Sequence, residues 1–272
     1  MMTGPTTTGF VSTGTDVFNL AAADIDLSQV QKDWEKQLRE LLKQWTDITR
    51  DQIDSIVDQV RSAINSDDLA ALAAISVSTT AAVEALTEAM TDMALTAAKR
   101  VTREAAAQDV RLDPVASDSA TFAAVAVALS ALLAEGLTNS AGREALRRWS
   151  PAMTGDEVAQ AVREHLGSLS DAFLAANLGS ALTSAQNTGR LNTALSGPSA
   201  AVYASEQMDG NTCKPCQRIN GKWLGNIDDP DIAAKVSAVY PNGGYKDCLG
   251  GARCRGTVVF IWRQEQVGAE DA

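Results

Sequence analysis

LNTALSGPSAAVYASEQ, residues 191–207, is where the chain changes character. Leu191 to Leu195 closes a long alanine- and leucine-rich run. Ser196-Gly197-Pro198-Ser199 then breaks it, because proline lacks an N–H and pushes the residue before it out of the helical region. Beyond the break, Ala201 to Gln207 reads as a strand. Everything upstream is expected to be helical and everything downstream turn-rich with short strands. The expected class is therefore α+β: a mostly α-helical N-terminal region of long amphipathic helices, then a small cysteine-stapled C-terminal module with a short antiparallel sheet.

The organisation follows as an arm at 1–26, a helical region at 27–196 and the module at 197–272. The arm is rich in Thr, Gly and Ser without a period, so it is expected to be flexible. From Leu27 the pattern turns periodic. Val30, Trp34, Leu38, Leu41, Trp45 and Ile48 recur three or four apart, and Ile53, Ile56, Val57, Val60 and Ile64 continue the stripe. Asn65-Ser66-Asp67-Asp68 ends that helix and caps the next, expected from Leu69 to about Ala107. After the Asp113-Pro114 break, one helix is expected over about 118–135 and a short one from Ala141 to Trp149. Thr154-Gly-Asp-Glu157 has capping-box form and opens a helix running to about Leu195, with a kink near Gly179 or Gly189. The tryptophans Trp34, Trp45 and Trp149 are expected core anchors. Downstream, the strand candidates are Ala201–Gln207, Lys222-Trp223 and Gly256–Trp262. Asp209-Gly210-Asn211 is expected to turn between strands, and a short helix is expected at about 230–240.

Of 272 residues, 45% are hydrophobic, enough for a core, while only 5% are aromatic, so Ala and Leu must do much of the packing. The net charge of −11 excludes a generally DNA-binding surface. The charge is uneven: residues 201–272 carry 8 Lys/Arg against 9 Asp/Glu, leaving the acidic excess in the helical part. Arg218, Lys222, Arg253 and Arg255 gather near the cysteines and form a candidate local basic face for DNA. MMTGPTTTGF has neither the basic nor the apolar region of a secretory signal. The most apolar window, Thr121–Leu133, is shorter than the ~20 residues that cross a bilayer, so no membrane segment is expected. A reducing cytoplasm is the expected site of synthesis.

All four cysteines, Cys213, Cys216, Cys248 and Cys254, lie in the module. Their confinement suggests a shared task. Zinc takes four thiolates at about 2.3 Å in a tetrahedron, and a Cys-x-x-Cys knuckle supplies two. A turn-rich module of this size gains from such a staple. Structural thiols or disulfides, and a redox pair, are the other readings that the spacing leaves open. Little announces an active site. The lone histidine, His165, sits on a helix, and the Asp228-Asp229-Pro230-Asp231 cluster reads as a solvated helix start.

The residues around the cysteines go further. AVYASEQMDGNTCKPCQRINGKW, Ala201–Trp223, resembles the signature of the phage Mu F-like minor head protein family, also called the phage head morphogenesis family. That signature is a short strand, an acidic or polar turn, Thr-Cys-x-x-Cys, and a few residues later an Asp/Asn-Gly turn, here Asn220-Gly221. The family motif closes with a His and a Cys-Arg-Cys-Thr run before a final strand. YPNGGYKDCLGGARCRGTVV, Tyr240–Val259, is similar, with Gly256 in place of the second Cys and Cys248 near where the His would stand. The Cys248 variant resembles versions from phages of actinobacteria. Thr183–Arg190 also looks like the polar stretch that leads into the module in that family. The resemblance, over about 201–262, implies a structural protein present in several copies in the virion. It would be made in the bacterial cytoplasm, contact the portal protein and other head proteins, act in head assembly and touch packaged DNA during packaging or ejection. Some relatives are labelled capsid maturation proteases, so an enzyme is the first alternative expectation and a zinc-stapled adaptor outside any virion the second.

Overall fold

The computed structural model describes residues 27–168, 171–241 and 243–262. The arm expected at 1–26 lies outside the described residues. The fold is α+β, with long helices followed by a small antiparallel sheet.

Helix α1 runs unbroken from Leu27 to Asn65, and its apolar stripe forms two different contacts. Leu41 and Trp45, with Trp34 and Leu38 beside them, pack against α2 (Thr80–Ala106), the first half of α3 (Ala120–Arg148) and α5 (Asp171–Leu195). Ile56, Val57 and Val60 pack against the second half of α3 and against α4 (Gly155–Gly167). One stripe thus organises two cores along a single helix. Trp149 packs at the edge of the second core.

Four expected helices have different bounds. The helix expected from Leu69 begins only at Thr80; before it come a 3-10 turn, Leu69–Ala74, capped by Asp68, and an extended stretch. Ile75-Ser-Val-Ser-Thr79 is β-branched or serine at every position, which disfavours helix. Glutamines of α1 hold it extended instead: Gln59 bonds both the N–H and the C=O of Ser76, and Gln52 donates to the Ser78 carbonyl. The two helices expected over 118–149 are one, because α3 passes through Gly136 and Gly142; a Cβ at Gly142 would lie 3.1 Å from the Leu72 carbonyl oxygen. The helix expected from 154 to 195 is two, α4 ending at Gly167 and α5 starting at Asp171. Val158, Val162, Leu166, Leu169 and Phe173 step three or four apart, the spacing of one apolar stripe; the first three are buried, whereas the side chains of Leu169 and Phe173 lie outside the described residues. Thr154 and Glu157 do form the capping box. Gly189 does not kink α5; it lets α5 approach α2 so closely that a Cβ there would lie 2.1 Å from the Ala94 carbonyl oxygen.

Helix α3 is also longer than its most apolar window. Among the described residues it is the one helix long and apolar enough to cross a membrane by length and composition, and 28% of its apolar window is buried. Phe122, Ala126, Ser130 and Leu133 face the bundle, while Val125, Val127 and Leu132 are exposed.

The sheet has the order β2-β1-β3, with β1 at Ala201–Ser205, β2 at Trp223–Asn226 and β3 at Thr257–Ile261, all antiparallel. Asp209-Gly210-Asn211 does not make a hairpin as expected. Helix α6 (Lys214–Ile219) intervenes, and Asn220-Gly221 instead turns the chain back into β2, with Gly221 at φ 77°. Helix α7, Ile232–Val239, packs on β2. The outer edge of β3 is hydrogen-bonded by side chains of α5 and of the turn after α2, where a further strand would stand. Asn187 bonds the Gly256 carbonyl and the Val258 N–H, Arg190 Nε donates to the Val258 carbonyl, and Gln108 bonds the Phe260 carbonyl and the Trp262 N–H. Beneath these contacts Val101, Ala105, Leu191 and Ala194 share one apolar cluster with Val202, Val258 and Phe260. An unpaired sheet edge is thereby closed from within the chain, and the bundle and the module are joined by both packing and hydrogen bonds.

Candidate metal centre

Three segments bring the cysteines together. The first leaves β1 at Ser205 and reaches Cys213, which is extended at φ −70°, ψ 157° and immediately precedes α6. Pro215 stands in the first turn of α6, where its missing N–H costs nothing. That turn swings Cys216 inward, so it is buried while Cys213 is half-buried. The second segment is the loop from Gly243 to Gly250, which carries Cys248. The third is a 3-10 turn, Gly251–Arg253, that delivers Cys254, buried, just ahead of β3.

The sulfurs meet across these segments. Cys213 Sγ lies 3.8 Å from Cys248 Sγ, and Cys216 Sγ lies 3.8 Å from Cys254 Sγ. Cys213, Cys216 and Cys248 hold their sulfurs within 4.8 Å of one another, and so do Cys216, Cys254 and a carboxylate oxygen of Glu206. Cys216 belongs to both groups and is the pivot of the cluster. Backbone N–H groups point at the sulfurs: Tyr245 donates to Cys254 Sγ at 3.2 Å and Gly250 to Cys248 Sγ at 3.3 Å. Such donors stabilise thiolate and orient it. A metal ligand set fits this arrangement: four soft sulfur donors on short loops, held by their own backbone, suit a soft or borderline cation far better than a hard one.

The electrostatics divide the cluster into an outer and an inner half. For Cys213, burial pushes the thiol up, but N–H donors from Cys216 and Leu249 and the neighbouring thiols outweigh it and bring it down to about 7. Burial raises Cys216, and the Glu206 carboxylate adds to that rise. Cys254 is pushed up to about 12 by burial and then by the same carboxylate. Burial raises Glu206 as well, against hydrogen bonds from the thiols. Without a cation the inner half is thus a group of acids that keep their protons. A cation reverses that preference, because it stabilises every anion around it.

Glu206 was not legible as part of this site. It is 3% exposed, accepts from the Cys254 thiol at 3.4 Å through Oε2, and has no hydrogen-bond partner at Oε1. The one sequence signal was its place: a lone acid between a buried strand and Cys-x-x-Cys. Gly256 is fixed by the same crowding, since a Cβ there would lie 2.5 Å from Glu206 Oε1 and 2.3 Å from the Tyr240 ring. The position next to Cys254-Arg255 therefore has no room for a second cysteine.

The candidate basic residues differ in their surroundings. Arg218, Lys222 and Arg253 are exposed. Arg255 is half-buried and pairs with Asp209 at 2.7 Å, which ties the turn before Cys213 to the segment after Cys254. Asp209 is held below the usual carboxylate range chiefly by that guanidinium. In the acidic turn, Asp229 pairs with Lys235 and accepts from the Asp231 N–H ahead of α7. His165 Nε2 lies 3.0 Å from Ser140 Oγ, a bond between α4 and α3. No known family, curated protein or solved structure matches the chain.

Proposed function

We propose that this chain is a structural minor head protein of a tailed bacteriophage, of the Mu F-like kind, whose C-terminal module is stapled by one zinc ion. The observation that carries the staple is the pair of crossing sulfur contacts, each 3.8 Å. A tetrahedron with metal–sulfur distances of about 2.3 Å has edges of roughly 3.8 Å. Cys213, Cys216, Cys248 and Cys254 are the ligands, and zinc suits a closed four-thiolate site with no position left for substrate. When bound, zinc supplies cross-linking rather than chemistry. It fixes α6, the Cys248 loop and the start of β3 against one another.

The head role rests on the motif residues, and their arrangement supports it in one respect. The Asp209 turn, Thr212, the cysteines and Asn220-Gly221 all serve to build one compact tip. Thr212 Oγ1 receives the Asp209 N–H, and Asn220 Oδ1 receives the Glu206 N–H. The tip is latched to the bundle through β3, so a force or contact at one is felt at the other. The outer apolar side of α3 is the surface this reading assigns to a neighbouring head protein, and Arg218, Lys222 and Arg253 are assigned to packaged DNA.

Two measurements test the reading. Elemental analysis of the reduced protein should give about one zinc per chain, lost in Cys216→Ser; no zinc with four titratable thiols overturns the staple. Mass spectrometry of purified virions should find the chain in the particle. Its absence there overturns the head role, and favours an adaptor if the zinc is present, or an enzyme if a single side-chain change abolishes an activity with the fold intact.

A further inference from the structure

The sulfur contacts join the segment around α6 to each of the other two cysteine-bearing segments. Cys213, ahead of α6, meets Cys248, and Cys216, on α6, meets Cys254, ahead of β3, both at 3.8 Å. A disulfide needs about 2.05 Å, so each pair closes by a movement of under about 2 Å. The segment that must move is rich in the residue that permits it: Gly243, Gly244, Gly250 and Gly251 flank Cys248, and Gly251, at φ 54°, has open space around it. The two pairs differ in access. Cys213 and Cys248 are half-buried, whereas Cys216 and Cys254 are buried.

We infer that the cluster is also a site of covalent modification, at which oxidation yields two disulfides of fixed connectivity, Cys213–Cys248 and then Cys216–Cys254, with release of the metal. The last clause rests on the zinc reading; the connectivity rests on the sulfur geometry alone. The oxidant is a small-molecule disulfide of the glutathione class. The Cys213 thiolate attacks one of its sulfurs, the oxidant's S–S bond breaks, and one glutathione leaves and takes up a proton. The Cys248 thiolate then attacks Cys213 in the mixed disulfide and expels the second glutathione, which is protonated in turn. The protein has lost two electrons, and the oxidant has gained them and, with two protons from solvent, leaves as two thiols. Cys216 and Cys254 alone do not complete a tetrahedron, so the metal leaves, and a second equivalent of oxidant closes the inner pair by the same two steps. A chain that folds with metal in a reducing compartment would in this way carry covalent staples in an oxidising one.

The test treats the zinc-loaded full chain with glutathione disulfide, follows zinc with a chromogenic chelator, and maps disulfides by tandem mass spectrometry without reduction. Trypsin cuts after Arg253 and so separates Cys248 from Cys254. The expected result is Cys213–Cys248 first, zinc release with it, and Cys216–Cys254 later. Cys248→Ser should hold glutathione on Cys213, and Cys254→Ser should still form Cys213–Cys248 while leaving Cys216 without its partner. A bond inside Cys213–Cys216, a Cys213–Cys254 or Cys216–Cys248 bond, or four free thiols after oxidation would overturn the inference. If the purified chain holds no zinc but forms the two named bonds, the zinc reading fails and the connectivity stands. If it holds one zinc and oxidises to other bonds, the reverse is true.

Discussion

Arg190→Met should be among the most damaging single substitutions in this chain. Arg190 is 0% exposed and Glu104 is 5% exposed. The guanidinium grips the Glu104 carboxylate in two bonds, 3.0 and 2.5 Å, and gives its Nε–H to the Val258 carbonyl at 2.7 Å. The pair thus links α2, α5 and β3 in one desolvated contact. Methionine fills a similar volume but leaves a buried carboxylate without its cation. Such a loss costs about 3–5 kcal/mol, which in a chain of this size lowers the melting temperature by about 6–20 °C. Glu104→Leu strands the guanidinium and should cost about as much. The double substitution removes both charges and orphans only the Val258 carbonyl, a cost of about 1–3 kcal/mol. The double variant should therefore be more stable than either single one. Urea unfolding followed by tryptophan fluorescence reports this, since Trp262 is buried in the same cluster as Val258. Single variants that each cost under about 1 kcal/mol, or a double variant equal to the sum of the singles, would refute the argument that this pair is a mutually dependent latch.

Three further outcomes follow from the same structure. Gly189→Ala would stabilise an exposed helix by about 1 kcal/mol, but here the Cβ meets the Ala94 backbone at 2.1 Å, so a thermal scan should show destabilisation of about 1–3 kcal/mol instead. Glu144 is held down to about 2, first by its hydrogen bond from Arg147 and then by that from Arg148. A depressed carboxylate contributes stability above its ordinary range, lost as pH falls from about 4.5 towards 2; Glu144→Gln should flatten that part of the acid-unfolding curve and leave its slope above pH 5 unchanged. Each thiolate that binds metal gives up a proton, so zinc affinity, read by competition with a chelator, should fall as pH is lowered, and chelation at neutral pH should lower the melting temperature of the parent but not of Cys216→Ser.

Much of the fold was written in local patterns. The stripe of α1, the Thr154–Glu157 capping box and the break at Ser196–Ser199 each act over a few residues, and each appears where the sequence places it. The errors came where distant contacts overrule local preference. Residues 136–140 read as a gap between helices, yet α3 continues through them because its two halves pack into the two cores. Ile75–Thr79 read as helix, yet the Gln52 and Gln59 side chains of α1 pull it straight. The polar latch had a visible signal. Thr183, Gln186, Asn187, Arg190 and Thr193 stand at i, i+3, i+4, i+7 and i+10 and are all buried, which is the spacing of an apolar stripe made of polar residues.

The candidate centre divides the same way. By itself, the sequence determined that four cysteines share one turn-rich module and that it follows a helical bundle, because residue type and periodicity are local properties. Only the tertiary structure decided which sulfur meets which, that Glu206 stands inside the cluster, and that side chains from the bundle close the edge of β3. Those facts depend on residues up to 154 positions apart being brought within a hydrogen bond, and such distances are set by the packing of the whole chain.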